Sequence, residues 1–335
     1  MSRFDRIPPV LQIAVGVGCV LVLILAAQVL VSAGDQARIP AGWQLVRPPG
    51  EVSALVLDGG VVYAGGSDGL FIVDRVSGRL LPIPPGLPQL GSVRGLALDH
   101  ARGLWVAHEN GLGVLRGEGW TDMTPSGRGT SAQFRAVVED REQTVWAGGE
   151  GGLMRLTSGT WSPVPLPGGS TVLPVDVLLA GSDGALWVGS SSLAGGALFR
   201  FDGSNWTAVS VADGLPHPVV NALCESTNGT VYVATGFANR GGLGVYRDGA
   251  WSNLSVRDGL AGPNVRSVFE DSEGRLWIGS EYDGLAILGP RGRCLLTRAD
   301  GLIADEVKAV AEDSAGGFWL GTAGGLMRVT DPCSG

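Results

Sequence analysis

Apolar and polar residues alternate with a period of two over short runs of this chain, and the runs recur. Residues 264–288, NVRSVFEDSEGRLWIGSEYDGLAIL, show the unit. Val265 to Glu270 reads as a strand, Asp271 to Gly274 as a polar turn, and Leu276 to Gly279 as a second strand. A turn carrying Gly284 leads into a third strand, Leu285 to Leu288. Such self-similarity, once found at a period of some 20–50 residues, dictates the architecture.

The first strand opens at Val52, Val93, Phe134, Val175, Val220, Val265 and Val307, giving spacings of 41, 41, 41, 45, 45 and 42 residues. An aromatic follows in every second strand: Tyr63, Trp105, Trp146, Trp187, Tyr232, Trp277 and Trp319. A fourth strand begins near Trp120, Trp161, Trp206 and Trp251, while the first and sixth copies carry SGRLLPI and GRCLLTR instead. Four short strands per repeat of this length predict an all-β fold, a seven-bladed β-propeller of four-stranded blades. The seven aromatics are expected to pack between adjacent blades.

The seventh copy ends too soon for a fourth strand, because only Cys333, Ser334 and Gly335 follow LMRVTDP. Gly42-Trp43-Gln44-Leu45-Val46 resembles the fourth strands at Gly119-Trp120 and Ala250-Trp251. The segment from Trp43 to Arg47 is therefore expected to close the ring against the third strand of the last blade. Full closure removes the exposed edges that invite pairing with other chains.

Ahead of the repeats, the 24 residues from Val10 to Ala33 hold only Gln12, Gln28 and Ser32 as clearly polar positions. As a helix they would reach about 36 Å, enough for a hydrocarbon core of ~30 Å. Arg3 and Arg6 precede the run, so the positive-inside rule puts the N-terminus in the cytoplasm and the repeats outside. The expected organisation is a cytoplasmic stub (1–9), a transmembrane helix or signal anchor (10–33), a linker (34–41) and the propeller (42–332). A cleaved signal is the rival reading, with Val31 and Ala33 before the peptidase site; a lipoprotein signal at Cys19 fits less well. All three export the repeats to the periplasm or exterior.

Composition narrows the function. The 55 glycines suit tight turns, and a net charge of −8 argues against a nucleic-acid partner. Four cysteines without a CxxC pair signal neither a metal site nor a disulfide framework, and no cofactor is expected. Whether Cys294 and Cys333 pair is left open. Asp58, Asp99, Asp140, Asp271 and Asp313 sit at the first turn of their blades, where a carboxylate accepts turn N–H bonds.

VRSVFEDSEGRLWIGS followed by DGL, and Val307 to Thr322 (VKAVAEDSAGGFWLGT), resemble the repeat of the two-component regulator propeller family. Val220 to Thr235 matches more loosely, and the likeness runs over about residues 42–331. The resemblance implies an extracytoplasmic sensor part of a membrane-bound regulator. Many relatives continue into a kinase or DNA-binding output, whereas this sequence carries nothing after its last blade. A sialidase-type Asp-box fails because Asp271 to Trp277 is six residues rather than five, and no Trp-Asp dipeptide supports a WD40 array. Streptogramin lyase, a seven-bladed relative in shape that works through a His base, keeps an enzyme reading open. So does an interaction scaffold without a small ligand. The partners considered are a small molecule, a glycan or a membrane signalling protein.

With the first strand innermost, second-to-third loops and inter-blade loops share one face. The two long second-to-third loops, Ser190 to Gly195 and Gly236 to Gly241, single out blades 4 to 6. A site is expected at Ser191, Phe237, Asn239, Arg240 and Tyr282, with Arg266 below. A second candidate is the residue after each strand-opening position: Ser53, Arg94, Arg135, Asp176, Asn221, Arg266 and Lys308. Ring symmetry would gather these at the channel mouth as a largely cationic funnel for an anionic or sugar-like ligand. His108 with Glu109 is the couple that most resembles an acid–base pair.

Overall fold

The computed structural model describes residues 39–125, 133–167, 173–191, 198–314, 316–330 and 332–333. The apolar segment 10–33, with its expected membrane span and Cys19, lies outside them. Among the described residues no helix is long and apolar enough to cross a membrane.

Seven four-stranded antiparallel sheets are arranged as the blades of a propeller. Blade 6, the type unit, runs outward from Val265–Glu270 through Leu276–Ser280 and Leu285–Gly289 to Gly292–Leu296. Blade 1 departs from it at its outer edge. There the fourth strand shrinks to Leu80–Leu81, because Pro82, Pro84 and Pro85 cannot donate to a ladder.

The ring closes through the N-terminal strand, Gln44–Val46, which pairs with the third strand of blade 7, Gly325–Thr330. The Trp43 indole donates to the Thr330 carbonyl at 3.1 Å, and the Arg47 guanidinium reaches the Gly324 carbonyl at 2.8 and 3.0 Å. Inside the ring the Val52 N–H of blade 1 donates to the Thr322 carbonyl of blade 7 at 3.0 Å. Gly321 has to be glycine for that approach, since a Cβ would stand 2.8 Å from Val52. A disulfide between Cys294 and Cys333 ties the outer strand of blade 6 to the chain that follows blade 7. Cys224 is free and mostly buried.

Apolar packing lies between blades. Trp277 is fully buried and stacks on Phe318 of blade 7 with ring centroids 4.0 Å apart. Trp105 joins Phe134 and Val145 of blade 3, and Trp319 joins Val52 and Val62 of blade 1. Each such ring buries roughly 150–250 Å², or about 4–6 kcal/mol of gross transfer free energy.

On the face of the first turns, the aspartates accept the expected backbone bonds, for example from Gly103 to Asp99 and from Arg275 to Asp271. Their second oxygen takes the indole N–H of the core tryptophan: Trp105 to Asp99 at 3.0 Å, Trp146 to Asp140 and Trp277 to Asp271 at 2.7 Å. Carboxylates at strand ends then reach back to the preceding blade. Glu312 accepts both the N–H and the hydroxyl of Ser272, and Glu225 does the same for Ser182.

Candidate functional site

A bulge places the inner ring of side chains. In blades 2, 3, 5, 6 and 7 the register slips between the strand-opening residue and the second residue after it. Arg94, Arg135, Asn221, Arg266 and Lys308 are the residues skipped, and a bulged residue is free to aim its side chain off the ladder. Ser53 and Asp176 hold the matching place in blades 1 and 4, their N–H groups bonded to Gly65 and Gly189. The strand pattern of the sequence thus delivers one side chain per blade to one point.

These seven residues line a single cavity of about 600 Å³ at the channel mouth, together with Glu51, Ser67, Ser92, Ser191 and Val220. Ser191 also donates its backbone N–H to Asp176 at 2.7 Å. A side pocket of about 160 Å³ between blades 2 and 3 shares Ser92, Arg94 and Arg135 with the mouth and adds Glu109 and Gln133.

The expected cationic funnel is corrected by its partners. Arg135 contacts Asp176 at 2.5 Å and Glu150 at 2.9 Å. Arg266 contacts Glu306 at 3.1 Å, and Lys308 lies 2.8 Å from Glu51 and 3.5 Å from Glu306. Asn221 spends its amide on the carbonyls of Gly236 and Val265. The mouth is therefore a polar, charge-balanced ring rather than a basic one. Position in the repeat marks these carboxylates in the sequence: Glu51 and Glu306 each directly precede a strand-opening valine, and Glu150 follows the glycine that ends a second strand.

Phe237, Asn239, Arg240 and Tyr282 do not line this cavity. The expected loop at 236–241 is instead a continuation of the hairpin, with Gly236 opposite Gly241 and Phe237 opposite Arg240. Ala238 and Asn239 make its two-residue turn, both at positive φ, as primed hairpin turns require. Most of the companion loop, residues 192–197, lies outside the described residues. Phe237 and Tyr282 are 55% and 60% exposed and form an outer rim. Glu281, beside Tyr282, is held by Asn264, two residues before Arg266: the Asn264 carbonyl accepts the Glu281 N–H and its amide donates to the Glu281 carboxylate. That carboxylate also accepts the Tyr282 hydroxyl at 2.8 Å.

His108 is 5% exposed, and its Nδ1 lies 3.0 Å from the Leu90 carbonyl. Burial pushes its pKa down, against the Leu90 bond and the charge of Asp122. Glu109 instead accepts the Ser92 N–H. The two do not converge on one reactant position, and no histidine is among the described residues that line the mouth. Among the described residues no cluster of His, Cys, Asp or Glu could hold a metal ion.

Residues 259–282, from the inter-blade loop through the second strand of blade 6, match the family model of the two component regulator propeller. The chain carries that repeat. No curated protein matches the chain in sequence. Among solved structures, it superposes on an extracellular domain from B. thetaiotaomicron, described as part of a hybrid two component system, with a TM-score of 0.74 and 18% identity. That match covers 87% of this chain and 41% of the other. A second B. thetaiotaomicron extracellular domain, described as that of a one component system, gives 0.58 and 22% over 84% and 39%. Virginiamycin B lyase from Staphylococcus aureus gives 0.68 and 12% over 86% and 98%. At these identities the likeness is one of fold. The chain spans about two fifths of the two B. thetaiotaomicron structures.

Proposed function

We propose that the chain is an extracytoplasmic, membrane-anchored binding module whose propeller receives a small polar ligand at the channel mouth and serves a signalling system. The observation that carries this reading is the mouth itself. Every blade sends one residue into a cavity of about 600 Å³, a volume suited to a small molecule. Polar groups converge there without a nucleophile–base pair, which favours binding over catalysis. The Cys294–Cys333 disulfide supports an oxidising compartment, as does the apolar N-terminal segment. The two-component regulator repeat supports the sensing role. In this reading Phe237, Asn239, Arg240 and Tyr282 form an outer contact for a partner protein or a larger ligand.

The test is thermal shift of the full chain in detergent against a panel of sugars, sugar acids and amino acids. The same panel is run on Ser67→Trp, which plugs the mouth from an exposed turn. A shift that the plug abolishes supports the reading, and a shift that it leaves intact overturns it.

A further inference from the structure

We infer, building on the mouth as the binding site, that Arg94 anchors the single carboxylate of a small hydroxylated ligand of the sugar-acid class. The other three cations of the mouth are already engaged: Arg135 by Asp176 and Glu150, Arg266 by Glu306, Lys308 by Glu51 and Glu306. Arg94 is exposed in the cavity and has no hydrogen-bond or ion-pair partner among the described residues. A free guanidinium offers a planar fork of donors that fits a carboxylate with two parallel bonds.

The position of Arg94 matters as much as its freedom. It lines both the mouth and the side pocket between blades 2 and 3, so an incoming carboxylate reaches it without breaking an existing ion pair. The charge balance limits that ligand to one negative charge. Glu51 and Asp176 also line the mouth, and they would oppose the further charges of a polyanion. The rest of the wall selects for hydroxyl groups. Ser53, Ser67, Ser92, Ser191 and Asn221 line it, with Val220 as the apolar residue among them. Ser53 and Asn221 already bond to the Val93, Gly236 and Val265 carbonyls, so it is the hydroxyls of Ser92 and Ser191 that an apolar or aromatic ligand would leave without partners.

The probe pair is D-glucuronate and its neutral counterpart D-glucose, titrated calorimetrically into the full chain in detergent. D-glucuronate should bind, more weakly as salt rises, and D-glucose at least about tenfold less tightly. Arg94→Ala should lower the D-glucuronate affinity about 10- to 100-fold, to the D-glucose level, and Arg94→Lys should recover part of it. Arg94 has no hydrogen-bond partner among the described residues for folding to lose, so an unchanged melting temperature accompanies the loss. Absent D-glucuronate binding, equal affinities for the two sugars, or undiminished binding by Arg94→Ala overturns the inference. Inorganic phosphate that binds as tightly as D-glucuronate overturns the sugar-acid class. Failure of the underlying reading looks different: D-glucuronate binding that survives Ser67→Trp puts the ligand outside the mouth altogether.

Discussion

The indole Nε1 of Trp277 donates a 2.7 Å hydrogen bond to Oδ2 of Asp271, six residues earlier in the chain. Both residues are buried, at 0% and 2% exposure, so the bond joins the turn between two strands to the core between two blades. Trp277→Ala should cost about 3–5 kcal/mol, as large-to-small core truncations do. Trp277→Phe keeps most of the ring but removes the N–H, and losing that one bond to a carboxylate still held by Arg275 should cost about 1–3 kcal/mol. Urea denaturation separates the two. A phenylalanine variant as stable as the parent would reduce the tryptophan to a hydrophobic filler.

The same carboxylates should set the acid limit of the fold. Burial alone would raise the Asp271 pKa, but the bonds from the Trp277 indole, the Arg275 N–H and the Arg275 guanidinium hold it below its ordinary 3.8. At Asp99 burial is likewise outweighed, by Arg116, Gly103 and Trp105. A pKa depressed on folding contributes stability that is complete above the unfolded value and is lost as pH falls through the folded one. The urea midpoint should therefore hold down to roughly pH 4 and fall steeply below it. Asp271→Asn should start lower and decline less over that window. Parallel declines in parent and variant would rule the carboxylate out as a source of acid sensitivity.

The strand Gln44–Val46 closes the ring, and the Cys294–Cys333 bond separately ties blade 6 to the chain that follows blade 7. Deleting residues 42–48 should open blade 7 and lower the melting temperature by many degrees. Cys294→Ser should cost less, about 4 kcal/mol for a loop closed over 39 residues of separation. A strand deletion as stable as the parent would show that the hydrogen-bonded third strand of blade 7 tolerates a free edge.

Much of this architecture is legible in the sequence because it is written locally. The turn at Asp271 to Gly274 and the alternation around it recur with each blade, and the stray GWQLV advertises the strand missing at the other end. What joins blades is not local. Glu312 clamps Ser272 from 40 positions away, and Glu51 meets Lys308 across 257. No period within one repeat marks such pairs, so the mouth reads as cationic until its carboxylates are seen in place. The hairpin at 236–241 misleads for another reason. Gly-Phe-Ala-Asn-Arg-Gly has the composition of a loop, yet Ala238 and Asn239 adopt the left-handed turn that lets the ladder continue.

The outer rim tests how far the site extends. Phe237 and Arg240 sit at the tip of the blade 5 hairpin, and Tyr282 is exposed beyond the Asn264–Glu281 contact. Replacing residues 237–240 by an Asn-Gly turn keeps the Gly236–Gly241 pair that packs against Pro263, and so should leave the melting temperature within a few degrees. If the mouth receives the ligand, D-glucuronate affinity should stay within about twofold, because none of the removed side chains lines the cavity. Tyr282→Ala should behave the same way. A partner protein or a larger ligand that grips the rim would lose affinity in both variants, since exposed aromatics beside an arginine are frequent anchors of such contacts. Loss of the small ligand instead would move the site from the polar mouth to the aromatic rim and take Arg94 out of the recognition chemistry.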